Sequence, residues 1–237
     1  MTELVDPAEL GLVVEGQPPL PSCADDASVR RVDVFDNGEP LVPVRGRLNV
    51  IGVYRRMGLA NAPEHAWLRS GVLDRLVAVD AALPRPFGLV VLDGWRSRAF
   101  QQDLLSFYRR IHRSELSGYV ADPEDSTVIP PHVTGGAVDL TLTGHGVPLA
   151  LGSAFDDFSE RAHLAALESR PDDLMVARLR QLLAAALTAQ RFAPYRLEWW
   201  HWSFGDQQWA AQWGLDRSLY GPATDPPRRS ATAAQSR

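Results

Sequence analysis

Pro131-His-Val-Thr-Gly-Gly-Ala-Val-Asp-Leu-Thr-Leu142 joins a stiff start, a tight turn and an alternating run. Pro130 and Pro131 remove backbone freedom just before His132. Gly135-Gly136 permits a turn that side chains would obstruct. Ala137 to Leu142 alternates and predicts a strand. Asp139 then sits between Val138 and Leu140, near the core, where a carboxylate needs a partner to offset its desolvation. A cation is one such partner and an arginine is the other.

Working outward, the segment Tyr195 to Trp202 predicts a second strand, rich in tryptophan, that carries Glu198 and His201. Residues three apart in a regular strand face opposite sides, so the two can meet at one point only if the strand bulges or turns between them. Without that distortion Glu198 faces solvent and His201 packs among Trp199, Trp200 and Trp202.

The rest of the chain supplies helices around these strands. Arg30–Phe35 alternates and predicts a short strand. Pro63 to Leu83 has apolar residues at helical spacing, with Pro63 suited to a first turn. Phe87–Leu92 is a short apolar run that predicts a buried strand; it leads into Asp93-Gly-Trp-Arg-Ser97 and then a helix from Arg98 to about Arg113, with Phe100, Leu104, Phe107, Tyr108 and Ile111 inward. Helices are expected over 159–168 and 172–190, the second with Leu174, Leu179, Leu182, Leu183 and Leu187 as its core stripe, and a short one from Asp206 to Trp213. Strands and helices intermix with hairpin-like links, which favours an α+β fold over a parallel α/β sheet. The expected organisation is an N-terminal arm over 1–29, one domain over 30–221 and a disordered tail over 222–237.

Composition narrows the function classes. The chain has 237 residues, 45% hydrophobic and 22% charged, with net charge −5. It contains no lysine and no basic block, so nucleic-acid binding is not expected. Cys23 stands alone and cannot form an internal disulfide. No basic leader and no apolar run of about 18 residues occurs, which leads us to expect a cytoplasmic protein without membrane contact. The sequence does not indicate an oligomeric state.

Together His132, Asp139 and His201 make the two-histidine, one-carboxylate set of a catalytic zinc site, with a fourth position left for water. Glu198 suits a general base beside it. Arg96, in a turn after a buried strand, suits stabilisation of an oxyanion; the alternative for it is a surface ion pair.

The same residues carry a family resemblance. His132-Val-Thr-Gly-Gly-Ala-Val-Asp139 resembles the His-x-x-Gly-x-Ala-x-Asp motif of the zinc D-Ala-D-Ala metallopeptidases, and Glu198-Trp-Trp-His201 resembles their Glu-x-x-His motif. Trp95-Arg96-Ser97 resembles the turn that carries their catalytic arginine. Gly152-Ser-Ala-Phe-Asp156 resembles a loop of the D-alanyl-D-alanine dipeptidase branch. The resemblance implies a fold shared with hedgehog domains, a central mainly antiparallel sheet flanked by helices. It also implies one zinc, hydrolysis of a small D-amino-acid dipeptide, and Asp156 as receiver of the substrate's ammonium group. Two positions depart from the pattern: Pro130 stands where the family has a serine, and Val44 where it has a tyrosine. Alternatives are a zinc carboxypeptidase or endopeptidase on peptidoglycan stems or natural-product peptides, and a binding domain in which zinc only organises the fold.

Overall fold

A computed structural model describes residues 4–112, 118–125, 127–224 and 226. In chain order the elements are α1 (Asp26–Arg30), β1 (Leu41–Pro43), β2 (Asn49–Val50), α2 (Val53–Arg56), β3 (Trp67–Arg69), α3 (Ser70–Ala82), β4 (Phe87–Asp93) and α4 (Arg98–Ile111). They continue with α5 (Pro131–Thr134), β5 (Ala137–Gly144), β6 (Val147–Pro148), α6 (Leu174–Ala189), β7 (Ala193–Tyr195), β8 (Glu198–Ser203) and α7 (Gln207–Gln212). The tail expected from residue 222 falls largely outside the described residues.

The fold is α+β, as expected. The main sheet runs β2-β4-β5-β8-β7, with β6 also on β5, and every pairing except β2 with β4 is antiparallel. β5 lies between β4 and β8 and is buried at each of its eight residues. Its polar side chains therefore need partners: Thr141 donates to the Leu149 carbonyl and Asp139 accepts from Arg96. One hydrophobic core joins the sheet to α3 and α6; a second, smaller one gathers Phe100, Leu104, Leu105 and Tyr108 of α4 with Tyr54 and Val120. The N-terminal segment contributes Leu12 and Val14 to the main core. Among the described residues no helix is long and apolar enough to cross a membrane.

Several sequence expectations shift. Arg30–Phe35 is not a strand: α1 ends at Arg30, capped by the Asp25 side chain on Ser28 N, and Asp33 makes only an isolated bridge to Arg217. Val29 and Val32 are both buried, a three-residue spacing that the alternation concealed. The helix expected from Pro63 starts at Ser70, because Trp67–Arg69 pairs with Leu41–Pro43 as a strand. Leu68 and Val72 are both fully buried four residues apart, so the helical spacing runs unbroken across a change of element.

The helix expected over 159–168 is a single 3-10 turn at Glu160–Ala162 followed by turns. Arg180 of α6 explains this. Its guanidinium takes the carbonyls of Arg161 (3.0 Å), His163 (2.7 Å) and Leu164 (3.3 Å), which a helix would give to its own N–H groups. Leu174 and Ile111, assigned inward, are 51% and 56% exposed, because each stands at the end of its helix. Tyr195–Trp202 divides into β7 and β8, with Pro194 tolerated because β7 is an edge strand.

Candidate active site

The sheet itself assembles the site. Asp93, Asp139 and His201 are partners in register across β4, β5 and β8, so three strands present one row of polar side chains. β4 is irregular between Val91 and Asp93, which brings Asp93 opposite Asp139. β8 is distorted as well: Tyr195 pairs with Glu198 while its neighbour Pro194 pairs with Trp202. This is the bulge that Glu198 and His201 need to share a site, and Glu198 Oε2 lies 3.9 Å from His201 Nδ1. His132 comes from α5, which Gly135 closes at φ 74°. A Cβ at the next residue, Gly136, would run into the Phe204 carbonyl, so the chain can turn into β5 here only with glycine.

The three donors of the expected metal set converge. His132 Nε2 lies 3.1 Å from His201 Nδ1 and 3.3 Å from Asp139 Oδ2, and His201 Nδ1 lies 3.1 Å from Asp139 Oδ1. A tetrahedral zinc with bonds of about 2.0–2.2 Å holds its donors roughly 3.3–3.6 Å apart, so these spacings approach the edges of such a polyhedron. His132 Nδ1 lies 2.7 Å from the Gly94 carbonyl and must carry the proton to bond it, which leaves Nε2 with a lone pair facing the other donors. Burial lowers the His201 pKa and so favours the neutral ring a metal requires. Burial alone would raise Asp139, but the two imidazoles pull its carboxyl well below the usual carboxylate range. His132, Asp139 and His201 could therefore hold a metal ion.

Arg96 is not on the surface. It is 7% exposed and forks between Asp93 (Nε to Oδ2, 2.7 Å) and Asp139 (Nη2 to Oδ2, 3.2 Å). It also donates to Tyr54 Oη and Gln101 Oε1, each at 3.2 Å. Asp139 thus has the arginine partner that its sequence setting allowed, and it also faces the imidazoles of His132 and His201.

Asp156 lines the same cavity, at φ 58°, a backbone conformation uncommon for a non-glycine residue. Its Oδ2 accepts hydrogen bonds from Tyr54 Oη (2.9 Å) and from Tyr108 Oη. Burial pushes its carboxyl up to about 6, despite the Tyr108 hydrogen bond and the Arg96 charge. Glu198 is raised well above its ordinary value by burial and by the Asp139 and Asp156 charges. Asp139, Asp156 and Glu198 line the cavity together, and Asp93 adjoins them through Arg96, the buried guanidinium in contact with Asp93 and Asp139; Arg30, Arg109 and Arg196 also line the cavity. A divalent cation and an ammonium group would offset the excess negative charge.

Sequence reasoning missed Tyr54, Tyr108, Gln101 and Asp93. Tyr108 stood on the inward face of its helix and was assigned to packing. Val44 is fully buried in the main core, and the tyrosine hydroxyl in this site comes from Tyr54 instead. Pro130 does line the cavity.

Comparison with known proteins gives the family. A family model described as D-ala-D-ala dipeptidase matches residues 74–217, a span that contains Arg96, His132, Asp139, Asp156, Glu198 and His201. The chain belongs to this family. As a D-Ala-D-Ala dipeptidase family member it is a metallopeptidase. A D-alanyl-D-alanine dipeptidase of Synechocystis sp. is 30% identical over 222 residues, covering 77% of this chain and 88% of the relative. A D-alanyl-D-alanine dipeptidase of Enterococcus faecium is 33% identical over 151 residues, covering 56% of this chain and 69% of the relative. One from Enterococcus faecalis is 31% identical over 138 residues, covering 51% of this chain and 64% of the relative.

Proposed function

We propose that the chain is a zinc dipeptidase that hydrolyses D-Ala-D-Ala or a related D-amino-acid dipeptide. The observation that carries this reading is the convergence of His132 Nε2, Asp139 and His201 Nδ1, with His132 oriented by the Gly94 carbonyl. Two nitrogens and one carboxylate are a donor set of catalytic zinc, and zinc bound there would supply Lewis acidity and make water a nucleophile near neutral pH. Glu198 takes the proton of the attacking water and passes it to the leaving amine. Arg96, held by Asp93 through Nε, would supply the positive charge that stabilises the oxyanion developing on the scissile carbonyl. Asp156 receives the substrate's ammonium group, held in place by Tyr54 and Tyr108.

Elemental analysis tests the metal. About one zinc per chain is expected, with stoichiometric zinc absent from His132→Ala. Full retention of zinc by that variant would remove the ligand assignment.

The role of Asp156 has a pH signature. Its carboxyl must be ionised to hold an ammonium group, and it ionises at about 6. On this reading kcat/KM for a dipeptide falls about tenfold per pH unit as pH drops below that value, and Asp156→Asn abolishes the limb while raising KM. Stability runs the opposite way. The carboxyl is raised from 3.8 to about 6, so the folded state binds the proton more tightly, and this residue costs stability as pH rises through that window. A pH–rate profile flat from 5 to 7 would contradict the assignment.

A further inference from the structure

His132 comes from a helix of only four residues, too short to satisfy its own carbonyls. Three consecutive carbonyls at its C-terminal end find donors elsewhere. The Val133 carbonyl accepts from Ala223 N at 2.9 Å, the Thr134 carbonyl from Arg69 Nε at 2.8 Å and the Gly135 carbonyl from Arg69 N at 2.9 Å. Arg69 on β3 therefore supplies two of the three donors, one from its backbone and one from its side chain. The side chain is buried and fully engaged. Nη1 donates to the Glu39 carbonyl; Nη2 donates to the Gly221 carbonyl at 3.1 Å and lies 2.9 Å from Asp36 Oδ1. One arginine thus joins α5 to the C-terminal segment that contains Ala223. That segment also reaches the element of the second histidine. Leu219 N and Tyr220 N donate to the Gly205 carbonyl, at 2.6 and 2.8 Å, just beyond β8. Tyr220 Oη is fastened in turn to Glu39 Oε2 at 2.6 Å.

β3 holds the arginine turn of the site as well. The Trp67 carbonyl accepts from Trp95 N at 2.8 Å, and Arg96 N donates to the His132 carbonyl at 3.1 Å. Metal–ligand bonds tolerate errors of only about 0.2 Å, so the placing of α5 decides whether His132 Nε2 meets the other donors. We propose that Arg69 is a positioning residue for His132, acting with Ala223 through the carbonyls at the end of α5. Its effect on zinc rests on the reading of His132 as a metal ligand; its effect on the 131–136 segment does not.

Full-length Arg69→Ala, Arg69→Lys and Ala223→Pro are compared with the wild type. Arg69→Lys keeps the charge and loses the fork of donors. Ala223→Pro removes the N–H that the Val133 carbonyl accepts, and Ala223→Ser, which keeps it, is the conservative counterpart. Zinc affinity is measured by competition with a chelator at a temperature where each variant is folded. Under that condition a change that only lowers stability leaves the Kd of the folded protein as it was. The Kd should weaken about ten- to hundredfold in both Arg69 variants, the range for groups that orient a ligand from outside. It should weaken about two- to tenfold in Ala223→Pro, the worth of one hydrogen bond, and stay unchanged in Ala223→Ser. The visible absorption bands of the cobalt(II)-loaded proteins should shift in the same order, since they report the geometry of the ligands. In the metal-free proteins, amide hydrogen exchange should rise over residues 131–136 and not in α6. Where the wild type binds zinc, an unchanged Kd in Arg69→Lys and Ala223→Pro overturns the proposal. Exchange raised evenly along the chain also overturns it, because that pattern marks a merely structural role. If Arg69→Ala does not fold, the other two variants decide. If the wild type binds no zinc, the ligand reading of His132 falls, and hydrogen exchange over 131–136 alone upholds or refutes the positioning by Arg69.

Discussion

Glu198→Gln lowers kcat on a dipeptide by roughly a hundred- to ten-thousandfold while leaving the zinc content unchanged. The side chain keeps its shape and loses only its ability to accept and return a proton. No hydrogen bond ties the Glu198 carboxyl to another described residue, and the group stands among the like charges of Asp139 and Asp156. Burial and these like charges make an ionised Glu198 costly to the fold, a cost that glutamine does not carry, so the melting temperature should stay level or rise. Loss of activity together with loss of stability would mean that Glu198 supports the fold and not the proton transfer. Unchanged kcat would mean that a group other than Glu198 takes the proton of the water.

The second large effect falls on stability. Arg96→Ala leaves Asp93 and Asp139 enclosed without the guanidinium they share, and breaking such a buried pair typically costs about 3–5 kcal/mol. A chemical denaturation curve of the zinc-loaded variant measures that cost. Turnover of the folded fraction should fall by about 100- to 1,000-fold if Arg96 also stabilises the oxyanion. Arg96→Lys separates the two roles. An ammonium can neutralise the carboxylates but cannot contact Asp93, Asp139, Tyr54 and Gln101 together, so the variant should regain more stability than activity. A fully stable Arg96→Ala would show that the carboxylates are balanced by other groups.

What could be read from the chain alone follows its local geometry. His132 and Asp139 were legible because a proline pair, a glycine pair and an alternating run fix that stretch within a dozen residues. The bulge at Glu198 could be stated as a requirement, since the parity of a strand is strict. Its location could not, because it depends on how β7 pairs with β8. The register that sets Asp139 opposite His201 joins residues 62 apart, and no local pattern encodes it.

The misses have the same origin. Tyr54 reaches Asp156 across 102 residues of sequence and Tyr108 across 48, so a hydroxyl with a task in the site resembles core packing in its own helix. The expected helix over 159–168 is absent because of a distant partner, since Arg180 on α6 claims its carbonyls.

That arginine has a thermodynamic consequence. Its guanidinium also holds the Leu151 carbonyl at 2.8 Å, so one side chain secures both ends of the segment that carries Asp156. Ordering a free backbone costs about 1–2 kcal/mol of entropy per residue, and a ligand that must order a loop loses that much of its affinity. Here the cost is met once, during folding, and a ligand reaching Asp156 meets a segment that is already in place.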